Sequence, residues 1–123
     1  MNDARKKLGN YGEKLVWRQY EQAGFKLLER QFRCRYGEID LILQKDNVLY
    51  FVEVRTKTGW RYGPAEESIT SKKKRTIRKV SQFYLNQYHI ESHEEVGIQY
   101  DVVCVYIQKQ TKQAWIKRYP QAF

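Results

Sequence analysis

Apolar residues recur first at a helical spacing and then in strand-like runs. Between residues 4 and 23, Leu8, Gly12, Leu15, Val16, Gln19, Tyr20 and Ala23 gather on one side, while Lys and Arg dominate elsewhere. Gly24 then supplies a helix stop. Residues 25 to 34 read as a strand and Arg35-Tyr36-Gly37 as a turn. Two apolar strands follow, from Glu38 to Arg55, joined by the polar turn Asp46-Asn47. Thr56 to Gly63 is a loop by its glycines, and a second helix is predicted from about Ser68 to Gln87. Its stripe is Lys73, Ile77, Val80 and Tyr84. The polar segment from His89 to Gly97 connects to strands at 100–107 and 114–119. Helix, three strands, helix, two strands make one α/β domain.

Within the Glu38 to Arg55 hairpin, Asp40, Glu53 and Arg55 interrupt strands that otherwise look like core. Asp is depleted from such strands, and a carboxylate there costs stability unless something compensates it. A two-residue turn at Asp46-Asn47 sets Asp40 across from Glu53 and Glu38 across from Arg55, all on one face with Ile42 and Phe51. Directly opposed Cβ atoms lie about 4.5–5.5 Å apart, where two carboxylates repel by about 3–4 kcal/mol at an effective dielectric near 20. A proton on one acid or a divalent cation on both would relieve this; oxygen-only ligands suit Mg²⁺. The alternative is a solvated sheet face with Arg55 paired to Glu38. Glu13 lies at the margin of the first helix's apolar stripe with no basic residue three or four positions away. It is either a surface acid or a third member of the site. Lys73 either points towards the acids or snorkels to solvent.

Composition narrows the class. The chain has 123 residues, enough for one core and too few for two. No apolar run approaches the about 18 residues of a membrane span, and the N-terminus has no apolar stretch of a signal peptide. Cys34 and Cys104 are read as thiols in a reducing cytoplasm. His89 and His93 have a ligand-like spacing but no third partner, which argues against zinc. The formal charge is +9, with the densest basic run at Lys72, Lys73, Lys74, Arg75, Arg78 and Lys79. Such a surface attracts nucleic acid through its phosphates, or serves only to solvate the protein. Trp60, Arg61 and Tyr62 offer stacking and phosphate contact, or the Trp tucks against the domain.

Gly9-Asn10-Tyr11-Gly12-Glu13, Arg33, Gly37-Glu38-Ile39-Asp40-Leu41-Ile42, Phe51-Val52-Glu53-Val54-Arg55, Gly63, Lys73 and Tyr100-Asp101-Val102-Val103 together resemble the YraN-like family. Its members look like PD-(D/E)XK nucleases, in particular archaeal Holliday-junction resolvases. The resemblance implies a restriction-endonuclease-like fold over residues 1–123, with a central mixed sheet flanked by two main helices. It implies Mg²⁺ or Mn²⁺ on Asp40, Glu53 and the Val54 carbonyl, with Glu13 as the helix-borne acid. Arg55 stands in the place of the family's lysine, and Ile39 rather than Pro precedes Asp40. Arginine stays charged, so it positions or stabilises but cannot act as a base.

These readings lead to a cytoplasmic metal-dependent DNA phosphodiesterase acting on branched or structured DNA. Asp40 and Glu53 hold metal, Glu13 completes the shell or orients water, Arg55 and Lys73 steady the phosphate, and the basic helix face tracks the backbone. The likeness to dimeric resolvases leaves a homodimer open. The rivals are a binding module of the same fold without turnover, and a protein-interaction scaffold, which leaves the opposed acids unexplained.

Overall fold

The computed structural model describes residues 2–58, 69–88 and 96–123. Trp60, Arg61, Tyr62, Gly63, His89 and His93 therefore lie outside the described residues. The elements are α1 (Asn2–Gln22), β1 (Lys26–Cys34), β2 (Gly37–Lys45), β3 (Val48–Thr58), α2 (Ser71–Gln87), β4 (Gly97–Gln108) and β5 (Gln113–Tyr119). This is the predicted α/β order αβββαββ. β4 runs longer than residues 100–107 because it follows β3 from Val48↔Gly97 onwards. α2 begins at Ser71, where the Thr70 side chain accepts from the Lys73 N–H as an N-cap.

The five strands lie in sequence order in one mixed sheet. β3 and β4 are parallel, as a helical crossover between them requires, and all other pairs are antiparallel. The β2–β3 hairpin has the expected register, from Lys45↔Val48 to Leu41↔Val52, about a turn in which Asp46 takes a φ of 54°.

Alternation divides the core into two layers, broken once in β2, where Ile39 shares the layer of Ile42 and not that of Leu41. Leu41, Leu43, Val52, Val103 and Val105 pack against Val16 and Tyr20 of α1. On the other face Ile39, Ile42, Leu49 and Phe51 meet Ile77, Val80, Tyr84 and Leu85 of α2. A smaller cluster joins Ile69, Val102 and Cys104. Cys34 is half-buried and Cys104 buried, and neither is in a disulfide among the described residues. Gly24, at φ 92°, ends α1 as its position predicts, although Gln19 and Ala23 of the proposed stripe are exposed. Among the described residues no helix is long and apolar enough to cross a membrane.

Candidate functional site

The sheet forks next to the predicted acids. Recorded pairing of β2 with β3 ends at Leu41↔Val52, after which β2 continues beside β1 and β3 beside β4. In the fork, the Val54 N–H donates to Asp40 Oδ2 at 2.7 Å. The aspartate thus satisfies a backbone donor that has no ladder partner on that side. The Glu53 carboxyl is close enough to bear on Asp40 directly, so the two acids do meet. Burial and then the charge of Glu53 push Asp40 up from 3.8 to about 9, against the opposing pull of the Val54 N–H. The pair thus favours keeping a proton.

Two expectations change here. Glu38 does not pair with Arg55; it pairs with Arg33 across the β1–β2 ladder. Once the strands diverge, Arg55 falls back on Glu53, two residues along its own face, with Nη1 3.7 Å from Oε2. Lys73 of α2 comes to the same oxygen at 3.5 Å, so it points to the acids. The remaining basic residues of α2 are divided. Lys72, Arg75, Arg78 and Lys79 are exposed, and Lys74 and Arg78 lie over the Phe123 ring at 5.8 and 5.4 Å.

Glu13 is not a surface acid: only 7% of it is exposed. The neighbouring Gly12 explains how α1 comes so close to β3. A Cβ on Gly12 would fall 2.0 Å from Thr56 Oγ1. Glu13 Oε2 accepts from Gln31 Nε2 at 3.3 Å, and Oε1 has no partner among the described residues. Burial raises its pKa; Gln31 and Arg30 oppose this, while Glu38 and Glu53 add to it. Glu13 thus shares the field of the acid pair. Among the described residues no three acid, His or Cys side chains already converge as a ligand set.

Gln31 is the residue that sequence reasoning missed. It sits between Arg30↔Leu41 and Phe32↔Ile39, which is the register position opposite Asp40, and its φ is 49°. A non-glycine residue in that region is uncommon and costs energy. Its amide also donates to Asn10 Oδ1 at 3.0 Å, so one strained residue ties β1 to both α1 side chains. Glutamine in a strand gives no periodic signal of this.

An open cleft of about 950 Å³ lies over the fork between α1 and the end of β3, with Glu13, Asp40, Val54 and Arg55 in its wall. Arg5, Lys57 and Lys109 line it too, none of them singled out for the site from sequence. A cleft with acids at its base and cations at its rim suits a phosphate chain bound near a cation.

A family model described as uncharacterised protein family UPF0102 matches residues 12–105. The chain belongs to the UPF0102 family. A UPF0102 protein of Pelotomaculum thermopropionicum is 37% identical over 123 residues, covering all of both chains. One from Clostridium botulinum strain Loch Maree is 33% identical over all of this chain and 98% of its own. A Syntrophomonas wolfei UPF0102 protein is 41% identical over 80 residues, 65% of this chain and 70% of its own. The UPF0102 match takes in Glu13, Gln31, Asp40, Glu53, Arg55, Lys73 and Asp101, and leaves Arg5 and Lys109 outside.

Proposed function

We propose that this UPF0102 chain is a metal-dependent phosphodiesterase acting on DNA, branched or otherwise structured, built on a restriction-endonuclease-like fold. The observation that carries the reading is the contact between Asp40 and Glu53. Two carboxyl groups held together so that one keeps a proton to about pH 9 are short of positive charge. A divalent cation in the proton's stead would leave both ionised. The orphaned Glu13 Oε1 nearby fits the same need. Asp40, Glu53 and the Val54 carbonyl would hold Mg²⁺ or Mn²⁺, with Glu13 completing an all-oxygen shell. Such an ion, when bound, supplies an activated water and positive charge for the phosphate. Arg55 and Lys73 bring their own cations to Glu53 and to an incoming phosphate, and Arg55 does so without exchanging a proton. Exposed Lys72, Arg75 and Lys79 attract the backbone, as do the cations of the cleft.

A second reading is a DNA-binding module of the same fold without turnover. It is favoured by Arg55 and Lys73 already standing at Glu53, where they offset part of the charge a metal would neutralise. The test is incubation of labelled single-stranded, duplex and four-way-junction DNA with Mg²⁺ or Mn²⁺, beside an Asp40→Ala/Glu53→Ala control. Cleavage lost in the double variant is the expected result. Salt-sensitive binding without cleavage, even after Arg55→Lys, selects the module. Failure to bind any of the DNAs at low salt removes both readings.

A further inference from the structure

A second cleft, separate from the acids, lies where the β1–β2 turn meets α2. It encloses about 400 Å³ between Arg35 and Tyr36 of the turn and Lys79, Gln82, Phe83 and Asn86 of α2. The turn is held there by close packing: a Cβ on Gly37, which has φ 147°, would fall 2.7 Å from Thr76 Cγ2 of the helix. Tyr36 is 43% exposed although it is aromatic, and its ring meets Phe83 edge-on at 6.2 Å. The Arg35 guanidinium lies over one face of the Tyr36 ring, 4.9 Å from its centre, so a base would stack on the other face. Among the described residues lining the cleft none is acidic. Gln82 donates to Asn86 Oδ1 at 3.2 Å, which sets two amides side by side on the helix surface.

We propose that this cleft binds one unpaired nucleotide of a nucleic-acid strand, its base stacked on Tyr36 and its phosphate held by Arg35 and Lys79. A flat π-surface flanked by cations is how proteins hold single-stranded bases without reading their sequence. The amides of Gln82 and Asn86 can each donate to and accept from a base edge. Neither an apolar peptide nor an acidic protein surface accounts for all three features at once. Tyr36, in the turn before β2, precedes the acid Asp40 by four residues, at most about 13 Å at the rise of a strand. That is about four nucleotides at the ~3.4 Å rise of a stacked strand. The inference deepens the proposed function and rests on its nucleic-acid half, not on hydrolysis. It narrows the substrate to DNA with an unpaired stretch.

The test is equilibrium binding by fluorescence anisotropy in EDTA, so that metal and cleavage play no part. The probes are a labelled 12-nucleotide single strand, a hairpin duplex of the same composition, and a labelled mononucleotide. Tyr36→Ala is expected to weaken the single strand by about 5- to 100-fold, the range for loss of one stacked base. Tyr36→Phe should keep its affinity, and the duplex should be indifferent to both. Lys79→Gln should lower the salt dependence of binding by about one phosphate contact. An unchanged single-strand affinity in Tyr36→Ala overturns the proposal, as does an equal loss on duplex or a mononucleotide that binds as tightly as the strand. Thermal melting separates these results from misfolding. Wild-type protein that binds the strand through Tyr36 but never cleaves DNA with Mg²⁺ would leave this site standing and remove the nuclease reading.

Discussion

Asp101 and Asp40 are both aspartates set into apolar strands of one sheet, and the chain surrounds them in opposite ways. Asp101 of β4 is 0% exposed and fully engaged. Its Oδ2 accepts from the Tyr20 hydroxyl at 2.8 Å and from Arg118 Nε at 2.9 Å, with Arg118 Nη2 at 2.8 Å. Its Oδ1 accepts from Gln99 Nε2 at 2.9 Å and from the Gln121 N–H at 3.2 Å. Helix α1, strand β5 and the C-terminal turn all converge on it. Asp40 has one backbone donor and, as its other neighbour, a second acid. Burying a charge is tolerable when donors and a counter-ion surround it, and costly when they do not. Asp101 therefore reads as a structural tie, and Asp40 as an acid whose burial is compensated by a single donor.

Removing the tie should cost most. Asp101→Ala leaves the Tyr20 hydroxyl buried and Arg118 without its partner, an expected loss of about 3 kcal/mol. That is the low end for a broken buried pair, because Arg118, with 38% of its side chain exposed, can turn to water. Urea unfolding checks it, read as a fall in midpoint with an unchanged slope.

Asp40→Asn should do the reverse. The folded chain keeps a proton on Asp40 up to about pH 9, whereas the unfolded chain releases it near 3.8. Stability from this group is full at acid pH, is lost progressively as pH rises above about 4, and is gone above about 9. Asparagine removes that loss, so melting curves of the variant and wild type should agree near pH 4. At pH 8 the variant should melt several degrees higher. A variant that melts lower than wild type at pH 8 would make Asp40 a second tie and collapse the comparison.

Gln31→Gly should have the smallest effect on stability. It loses the hydrogen bonds to Glu13 and Asn10 but relieves a φ of 49°, two opposing changes of about 1 kcal/mol each. Mn²⁺ affinity should nonetheless fall several-fold, because Glu13 is no longer held. Titration of Mn²⁺ at pH 8 checks it, with Gln31→Asn, which also tolerates this φ, expected to lie nearer wild type.

Much of this was legible in the sequence. The hairpin register followed from a two-residue turn, and the 3.6-residue stripe of α2 placed Lys73 over the sheet. What escaped was non-local. Periodicity extends a ladder indefinitely, so it carried Glu38 and Arg55 into a pair that the fork at Leu41↔Val52 prevents. Asp101 bore the same warning as Asp40, an acid in an apolar strand, but its partners Tyr20 and Arg118 are 81 and 17 residues away. The left-handed turn at Gln31 has no signature in a residue that is not glycine, asparagine or aspartate.

Whether Asp40 and Glu53 bind a divalent cation is open to one direct measurement. Calorimetric titration of Mn²⁺ into the protein at pH 7, in buffers of different ionisation enthalpy, tests it without any substrate. The account predicts binding with release of about one proton, as the ion displaces the one shared by the acids, and loss of both signals in Asp40→Asn. Absence of binding in the wild type, wild-type binding without proton release, or binding of equal strength in Asp40→Asn, would contradict it.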